Sequence, residues 1–370
     1  MKTFIFPGQG SQVKGMGGGL FDEFSELTQQ ADEILGYSIK ELCLENPKRK
    51  LNKTQYTQPA LYVVNALSFY KKLKDTNVKP DYVAGHSLGE FNALLAAECF
   101  DFETGLTLVK KRGELMAGAP EGGMAAILNA TKEQIESILS ENNLNQIDIA
   151  NYNTPAQIVI SGDIEEIGKA QDLFQHDNMM YYPLNTSGAF HSRFMQPASE
   201  QFKAFLNEFT FSPLKIPVIS NVTARPYEDK DVVDNLAAQL ASSVRWCGSI
   251  QYLMWLDENG QKMEFEEVGN GDVLSKMLHF IEKETTKSVE SLTVKTEKSD
   301  ELPVSASATE LVEKWNKQYP VGTAVRSLTH DYDKLETRSE AMVLFGHRAA
   351  VYMQGYNGYF DLTELAPANA

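Results

Sequence analysis

Short apolar runs of strand length alternate along this chain with longer stretches whose apolar residues fall three and four apart. That alternation predicts an α/β protein. The first run, residues 3–6 (TFIF), reads as a buried strand that stops at Pro7. Residues 20–35 have helical spacing. A second helix over 60–73 has Pro59 near its first turn, and Leu61, Val64, Leu67 and Phe69 mark its buried face. Tyr82, Val83 and Ala84 suit a buried strand, and residues 90–99 are rich in helix formers. Asp101 can cap a helix over 102–117 whose apolar side includes Leu108, Val109, Leu115 and Met116.

From Gly123 the pattern changes. Residues 124–128 read as a strand, and Thr131 with Gln134 forms a capping box that opens a helix to Ser140. Residues 147–150 and 157–161 read as strands, 164–174 as a helix and 179–184 as a last strand. The order βαββαβ predicts a ferredoxin-like subdomain over 123–187. It is inserted into a larger parallel-sheet domain of α/β-hydrolase-like type, over 1–122 and 188–285. That domain resumes with a helix over 197–209, a strand at 218–220, helical stretches at 236–240 and 250–256, a strand at 265–268 and a closing helix over 274–281. Residues 286–309 are polar and read as a linker. Residues 310–370 form a small C-terminal extension with a helix and short strand-like runs at 323–328, 340–345, 349–353 and 358–362.

Composition narrows the classes. At 370 residues the chain can hold a large domain and a smaller one, and 42% apolar with 23% charged residues is ordinary for a globular protein. The net charge of -16 argues against nucleic acid as a partner. Cys43, Cys99 and Cys247 are odd in number, far apart and in no metal-ligand spacing, which predicts reduced cysteines of a cytoplasmic protein. No targeting signal or spanning apolar run is visible. Asn221-Val222-Thr223 fits a glycosylation sequon but reads as a turn.

The candidate chemistry begins at Gly85-His86-Ser87-Leu88-Gly89, a G-x-S-x-G sequence between a strand and a helix. A serine on such a turn sits in a strained backbone, flanking chains pass close enough to require the glycines, and the helix N-terminus offers N–H groups to an oxyanion. A serine that merely caps a helix explains Ser87 but not both glycines. The glycine-rich loop after the first strand, from Gly8 to Gly19, has neither a dinucleotide nor a P-loop spacing. It reads as a loop at the carboxyl end of a parallel strand, with Gln9 facing the crevice. Of six histidines, His191 is the best base for Ser87, because it lies where the chain re-enters the main domain. His86 is too close to serve its neighbour. Arg112 sits on the apolar face of its helix. It either snorkels to the surface or is a buried cation awaiting a carboxylate.

Seven motifs stand in one order: Phe6-Pro7-Gly8-Gln9-Gly10-Ser11-Gln12, Thr57-Gln58-Pro59-Ala60, Gly85-His86-Ser87-Leu88-Gly89-Glu90, Lys111-Arg112-Gly113-Glu114-Leu115-Met116, NYNTPAQIVISG over 151–162, Phe190-His191-Ser192 and Glu267-Val268-Gly269. Together they resemble the malonyl-CoA:acyl carrier protein transacylases and the acyltransferase domains of polyketide synthases, over about residues 1–285. The extension resembles a segment that follows discrete, trans-acting acyltransferases. The resemblance implies Ser87 as nucleophile, His191 as base, and the backbone N–H groups of Gln9 and Leu88 as oxyanion hole. It implies Arg112 as partner of the free malonyl carboxylate, with Met116, Phe190, His86, Asn151 and Asn153 on the substrate side. No acidic third member is implied. A backbone carbonyl near Val244-Arg245-Trp246 would orient the histidine, and no candidate Asp or Glu stands out between Ser87 and His191. Ala189-Phe190-His191 resembles the malonyl-selective form. The resemblance further implies malonyl-CoA and an acyl carrier protein as partners, and no metal or redox cofactor. Acyl carriers tend to be acidic, so on a chain of this charge a docking site would be a local basic patch.

Three functions compete at this stage: a ping-pong malonyl transferase, a hydrolase on the same scaffold that clears acyl groups from carriers, and a carrier-binding scaffold with a vestigial site. Arg112 speaks against the second and the intact Ser87, His191, Gln9 and Arg112 against the third. Fatty acid synthesis and polyketide assembly share the transfer chemistry, and the extension favours the second.

Overall fold

The structure, a computed structural model, describes residues 1–176, 178–186, 188–256, 262–293, 308–328, 335–344, 348–354, 359–362 and 365–368. Two compact units divide at 293/294.

In the first unit, strands β1 (Lys2–Phe6), β2 (Tyr82–Gly85), β7 (Val218–Ile219) and β8 (Glu264–Glu267) form one parallel sheet in the order β7-β2-β1-β8. The expected α/β architecture with a parallel sheet is therefore present. Both faces of the sheet are covered, as parallel sheets require. Phe4, Phe6, Val83 and Val218 point into one apolar cluster with Leu61, Val64 and Phe91. Ile5, Ala84 and Ile219, of opposite parity, point into another with Trp246, Ile250 and Leu274.

The helices before β2 are α1 (Leu20–Glu23), α2 (Ser25–Leu35), α3 (Ile39–Glu45) and α4 (Thr54–Thr76). The helix expected over 20–35 is broken at Phe24, whose φ of -112° and ψ of 52° are not helical. The helix α3 was not expected from periodicity. Its signal was Ser38, whose side chain caps the Glu41 N–H. Helix α4 begins six residues before Ala60, so Pro59 lies inside it rather than in its first turn. Helices α5 (Gly89–Ala96) and α6 (Phe102–Ala117) follow β2, and Asp101 caps α6 as expected.

Residues 123–183 form a second sheet. Strands β3 (Gly123–Leu128), β4 (Ile147–Thr154), β5 (Gln157–Gly162) and β6 (Met180–Pro183) are antiparallel in the order β4-β5-β3-β6. Helices α7 (Lys132–Glu141) and α8 (Ile164–Leu173) cover one face through Ile127, Ile135, Ile160 and Ile167. On the other face Met124, Ala150 and Val159 join the larger core. The sheet is also tied by backbone: Tyr152 donates to the Val244 carbonyl at 2.9 Å, and Val244 donates to Ala150 at 2.8 Å.

The chain returns through α9 (Gln196–Leu206), α10 (Val232–Gln239), α11 (Trp246–Trp255) and α12 (Val273–Thr293). Helix α12 runs well past the 281 expected of it, through the first residues read as linker. Residues 294–307 lie outside the described residues. In the second unit, helix α13 (Ala308–Gln318) precedes two antiparallel sheets. In one, β9 (Ala324–Ser327) lies between β10 (Leu335–Glu336) and β14 (Leu365–Pro367). In the other, β12 (Arg348–Tyr352) lies between β11 (Met342–Leu344) and β13 (Tyr359–Asp361). Trp315, Val325, Val351 and Met353 form its core.

Backbone contact fixes the turn after β2. A Cβ on Gly85 would overlap the Gly89 carbonyl, and one on Gly89 would overlap the Phe6 carbonyl. Gly85→Ala should therefore lower stability by about 3 kcal/mol or more, or prevent folding, because a backbone clash cannot relax by rotamer change. Gly168→Ala, on the exposed side of α8 with nothing near its Cβ, should add about 0.5–1 kcal/mol. Urea unfolding of the two variants checks both signs.

Candidate active site

Ser87 and His191 meet. Ser87 Oγ lies 2.7 Å from His191 Nε2, across 104 residues of chain. Both residues hold left-handed backbones, with φ of 51° at Ser87 and 58° at His191. Such values are costly for residues with a Cβ and persist only where surroundings enforce them. At Ser87 the enforcing residue is Asn221. Its Oδ1 accepts the Ser87 N–H at 2.7 Å and its Nδ2 donates to the Gly85 carbonyl at 2.7 Å. Asn221 is buried, which sets aside the sequon and explains the asparagine.

His191 Nδ1 donates to the main-chain carbonyl of Gln239 at 2.8 Å. That bond leaves Nε2 without its proton and directed at Ser87. The orienting carbonyl thus comes from the end of α10, not from Val244-Arg245-Trp246. The Val244 carbonyl is taken by the Tyr152 N–H instead. Burial, and then the adjacent Arg112 charge, push His191 down to about 3. The imidazole is therefore neutral at ordinary pH.

Arg112 is fully buried, so the snorkelling alternative is set aside. Its Nη1 donates to Gln58 Oε1 at 2.8 Å, and its Nη2 donates to Gln239 Oε1 at 2.8 Å and to Ser87 Oγ at 3.1 Å. The Phe91 ring lies 5.6 Å from the guanidinium carbon. Burial lowers Arg112 to about 10, with the Glu90 charge opposing, so it stays cationic. It is not on the wall of the cavity at Ser87. That cavity, of about 160 Å³, is lined by Gln9, Gln58, Ser87, Met116, Phe190 and His191 among others, and Arg112 lies one layer behind them.

The remaining expected residues divide. His86 and Asn153 both line the cavity and bond to each other, Nε2 to Oδ1, at 2.8 Å. Asn151 lines it beside a bulge between Ile149 and Asn151. Gln9 is half-buried with its Nε2 3.4 Å from Thr54 Oγ1. Gly8 passes so close to the turn that a Cβ there would overlap the His86 carbonyl and sit 3.6 Å from the Leu88 nitrogen. Phe190 is buried against Gly188, and Val273, Leu274 and Met277 of α12 close the cavity. His191 also borders an open groove of about 840 Å³ with Ser192, Arg193 and Tyr152.

Four residues were missed in the sequence: Gln58, Glu90, Asn221 and Gln239. Glu90 is fully buried on the first turn of α5. It accepts from the Tyr227 hydroxyl, from Gln239 Nε2 at 2.7 Å and from the Asn221 N–H at 3.1 Å. Burial pushes its carboxyl up to about 7, against those three hydrogen bonds. The available signal was a polar residue inside an apolar run: Glu90 and Gln239 both sit among residues with helical burial.

The acyl transferase domain family matches residues 3–253 of the chain. The chain is 61% identical over 286 residues to the polyketide biosynthesis malonyl CoA-acyl carrier protein transacylase PksC of Bacillus subtilis, covering 77% of this chain and 98% of that protein. Among solved structures it is similar to a malonyl CoA-acyl carrier protein transacylase from Burkholderia pseudomallei, at 60% identity and a TM-score of 0.76, covering 76% of this chain and 98% of that one. It is also similar to a malonyl-transacylase solved with its type II PKS acyl-carrier protein, at 30% identity and a TM-score of 0.71, covering 76% and 92%.

Two pH responses follow. The depressed His191 keeps Ser87 activated in acid, so labelling of Ser87 by an uncharged fluorophosphonate should stay within about twofold from pH 8 to pH 5. A histidine near 6.5 would lose more than about tenfold. Glu90 has the opposite sign. Its folded carboxyl lies above its unfolded value of 4.5, so the folded state binds more protons between 4.5 and about 7, and stability is lost as pH rises through that window. Glu90→Gln removes this loss. Relative to the parent it should gain about 3 kcal/mol on going from pH 4.5 to pH 8, read as the difference in urea midpoints.

Proposed function

The chain belongs to the acyl transferase domain family, and we propose that it moves malonyl from malonyl-CoA to the phosphopantetheine thiol of an acyl carrier protein. The observation that carries this reading is a buried arginine hydrogen-bonded to the hydroxyl of a histidine-activated serine. The 61% identity to a polyketide transacylase supports a role in polyketide assembly, with the enzyme acting in trans in the cytoplasm. The structural similarity to a transacylase bound to its carrier supports the carrier protein as partner.

In this reading His191 Nε2 takes the Ser87 proton as Oγ attacks the thioester carbonyl. The backbone N–H groups of Leu88 and Gln9 receive the oxyanion, in keeping with the approach of the Gly8 loop to the Leu88 nitrogen. The imidazolium returns the proton to the departing CoA sulfur. The carrier thiol then attacks the acyl-serine ester by the reverse path. No step asks for a metal or redox cofactor.

The malonyl carboxylate pairs with Arg112, replacing one of the amide acceptors that the guanidinium holds. Its charge acts twice. It binds, and it offsets the Arg112 charge that adds to burial in holding His191 down, so the base strengthens when a charged acyl group is present. Acetyl does neither. The Phe190 ring crowds a branched acyl chain. His86, Asn151, Asn153 and Met116 shape the cleft for the thioester. We also read the antiparallel sheet as an inserted ferredoxin-like subdomain over 123–187. Its strand order, with the central pair formed by the first and third strands, supports that reading. The parent domain then spans 1–122 and 188–285 in the α/β-hydrolase manner. Helix α12 carries this domain on to Thr293, past the start of the linker expected at 286, and the extension begins in the second unit.

Intact-protein mass spectrometry after brief mixing with malonyl-, methylmalonyl- or acetyl-CoA, and then with a holo carrier protein, tests this. A malonyl adduct lost in Ser87→Ala, and passed to the carrier faster than to water, is expected. Arg112→Ala should cost malonyl loading about 2–5 kcal/mol relative to acetyl loading. An adduct that hydrolyses without reaching the carrier would make the protein a hydrolase.

A further inference from the structure

We propose that Glu90 is the counter-ion of Arg112 in the free enzyme, set one amide away from it by Gln239, and that it thereby moderates how tightly a charged acyl group is held. This rests on the malonyl reading above.

Both groups are fully buried. A buried guanidinium and a buried carboxylate each demand compensation. Neither has an ion pair among the described residues. The hydrogen-bond acceptors of Arg112 are two amide oxygens and a hydroxyl. The donors to Glu90 are a phenol, an amide and a main-chain N–H. The two charges are linked through one side chain. Arg112 Nη2 donates to Gln239 Oε1 at 2.8 Å, and Gln239 Nε2 donates to Glu90 Oε2 at 2.7 Å. The amide is thus oriented by a cation at its oxygen and an anion at its nitrogen.

The spacing has a chemical consequence. In a direct ion pair the guanidinium would have little left for a substrate carboxylate. With no anion nearby it would be an uncompensated charge in the core. One amide between them leaves the cation partly compensated and still receptive.

The two sides of Arg112 are also unequal. Gln239 is held by Glu90 and by a 3.0 Å bond to the Ser87 carbonyl. Gln58, on the other side, is held beyond Arg112 only by a 3.3 Å contact of its Nε2 with the Met116 sulfur. Gln58 and Met116 line the cavity, whereas Gln239 and Glu90 do not. The arriving carboxylate therefore displaces Gln58, while Glu90 stays in place behind the cation and competes with the substrate for its field.

Glu90→Gln tests this. The neutral side chain can keep its oxygen toward Gln239 and Asn221 and turn its NH2 to the Tyr227 oxygen, so the fold is retained, as melting temperature will confirm. At pH 8, where Glu90 is ionised, the KM for malonyl-CoA in self-acylation should fall about three- to tenfold, and the malonyl-enzyme should pass its group to the carrier more slowly. Acetyl-CoA kinetics should stay within about twofold. In an Arg112→Gln background the malonyl-specific gain should vanish. Tyr227→Phe, which removes one donor to the anion, should move malonyl KM in the same direction by less. Equal changes for both acyl groups, no change, or a malonyl-specific loss in folded protein would overturn the proposal. Wild-type enzyme that loads acetyl as well as malonyl would overturn the substrate reading itself, and the proposal with it.

Discussion

The active site depends on a close crossing of backbones. Gly85 touches Gly89, and Gly89 touches the end of β1, with no room for a Cβ at either point. This crossing is what allows Ser87 to project from a left-handed backbone at the carboxyl end of a parallel sheet. The strain is held by long-range groups rather than by the turn itself. Asn221, from the segment after β7, bonds to the backbone on both sides of His86. The serine is thus placed by contacts 134 and 136 residues apart in the chain, so the site inherits its precision from the least local part of the fold.

Around that crossing the polar core is organised on Gln239. Its carbonyl orients His191, its amide oxygen receives Arg112, and its amide nitrogen donates to Ser87 and Glu90. A single residue at the end of α10 therefore touches Ser87, His191 and Arg112. Low dielectric makes such a network costly when partly satisfied and rigid when complete. It also explains why no acidic residue touches the histidine. A carboxylate at that point would raise the imidazole and counter Arg112 directly. With Glu90 set back behind an amide, the base stays neutral and the cation stays receptive.

What the sequence disclosed follows the range of the interactions. The serine turn was legible because its glycines, strand and helix lie within twenty residues. Arg112 could be placed on an apolar face by helical spacing, but whether it snorkelled or was buried depends on α4, α5 and α10 packing over it. The succession of elements through 123–183 could be read because each keeps a clean period of two or of three to four. The break at Phe24 and the early start of α4 at Thr54 could not, since tertiary packing overrides local periodicity there. Asn221, Gln239 and Glu90 were illegible for one reason: each acts through a partner more than 130 residues away. Asn221 even carried a misleading local pattern. The carbonyl that orients His191 is expected near Val244-Arg245-Trp246 and lies five residues before Val244, whose own carbonyl is taken by the Tyr152 N–H of the antiparallel sheet.

The position of Arg112 behind the cavity wall bears on how selection works. A cation exposed in an open pocket would bind any small anion and would be screened by salt. Here Gln58, Met116 and Ser87 stand in front of it. In the malonyl reading proposed above, a carboxylate reaches it by taking over a hydrogen bond that an amide already makes. The exchange is favourable because a charged acceptor is stronger than a neutral one. It is unavailable to an acetyl group, which has nothing to offer. It is also coupled to the chemistry, because the same guanidinium donates to Ser87 Oγ and adds its charge to the burial that depresses His191. On the malonyl reading proposed above, recognition of the acyl charge and activation of the base are one electrostatic event, and selectivity is exerted at the reacting atoms rather than at the entrance.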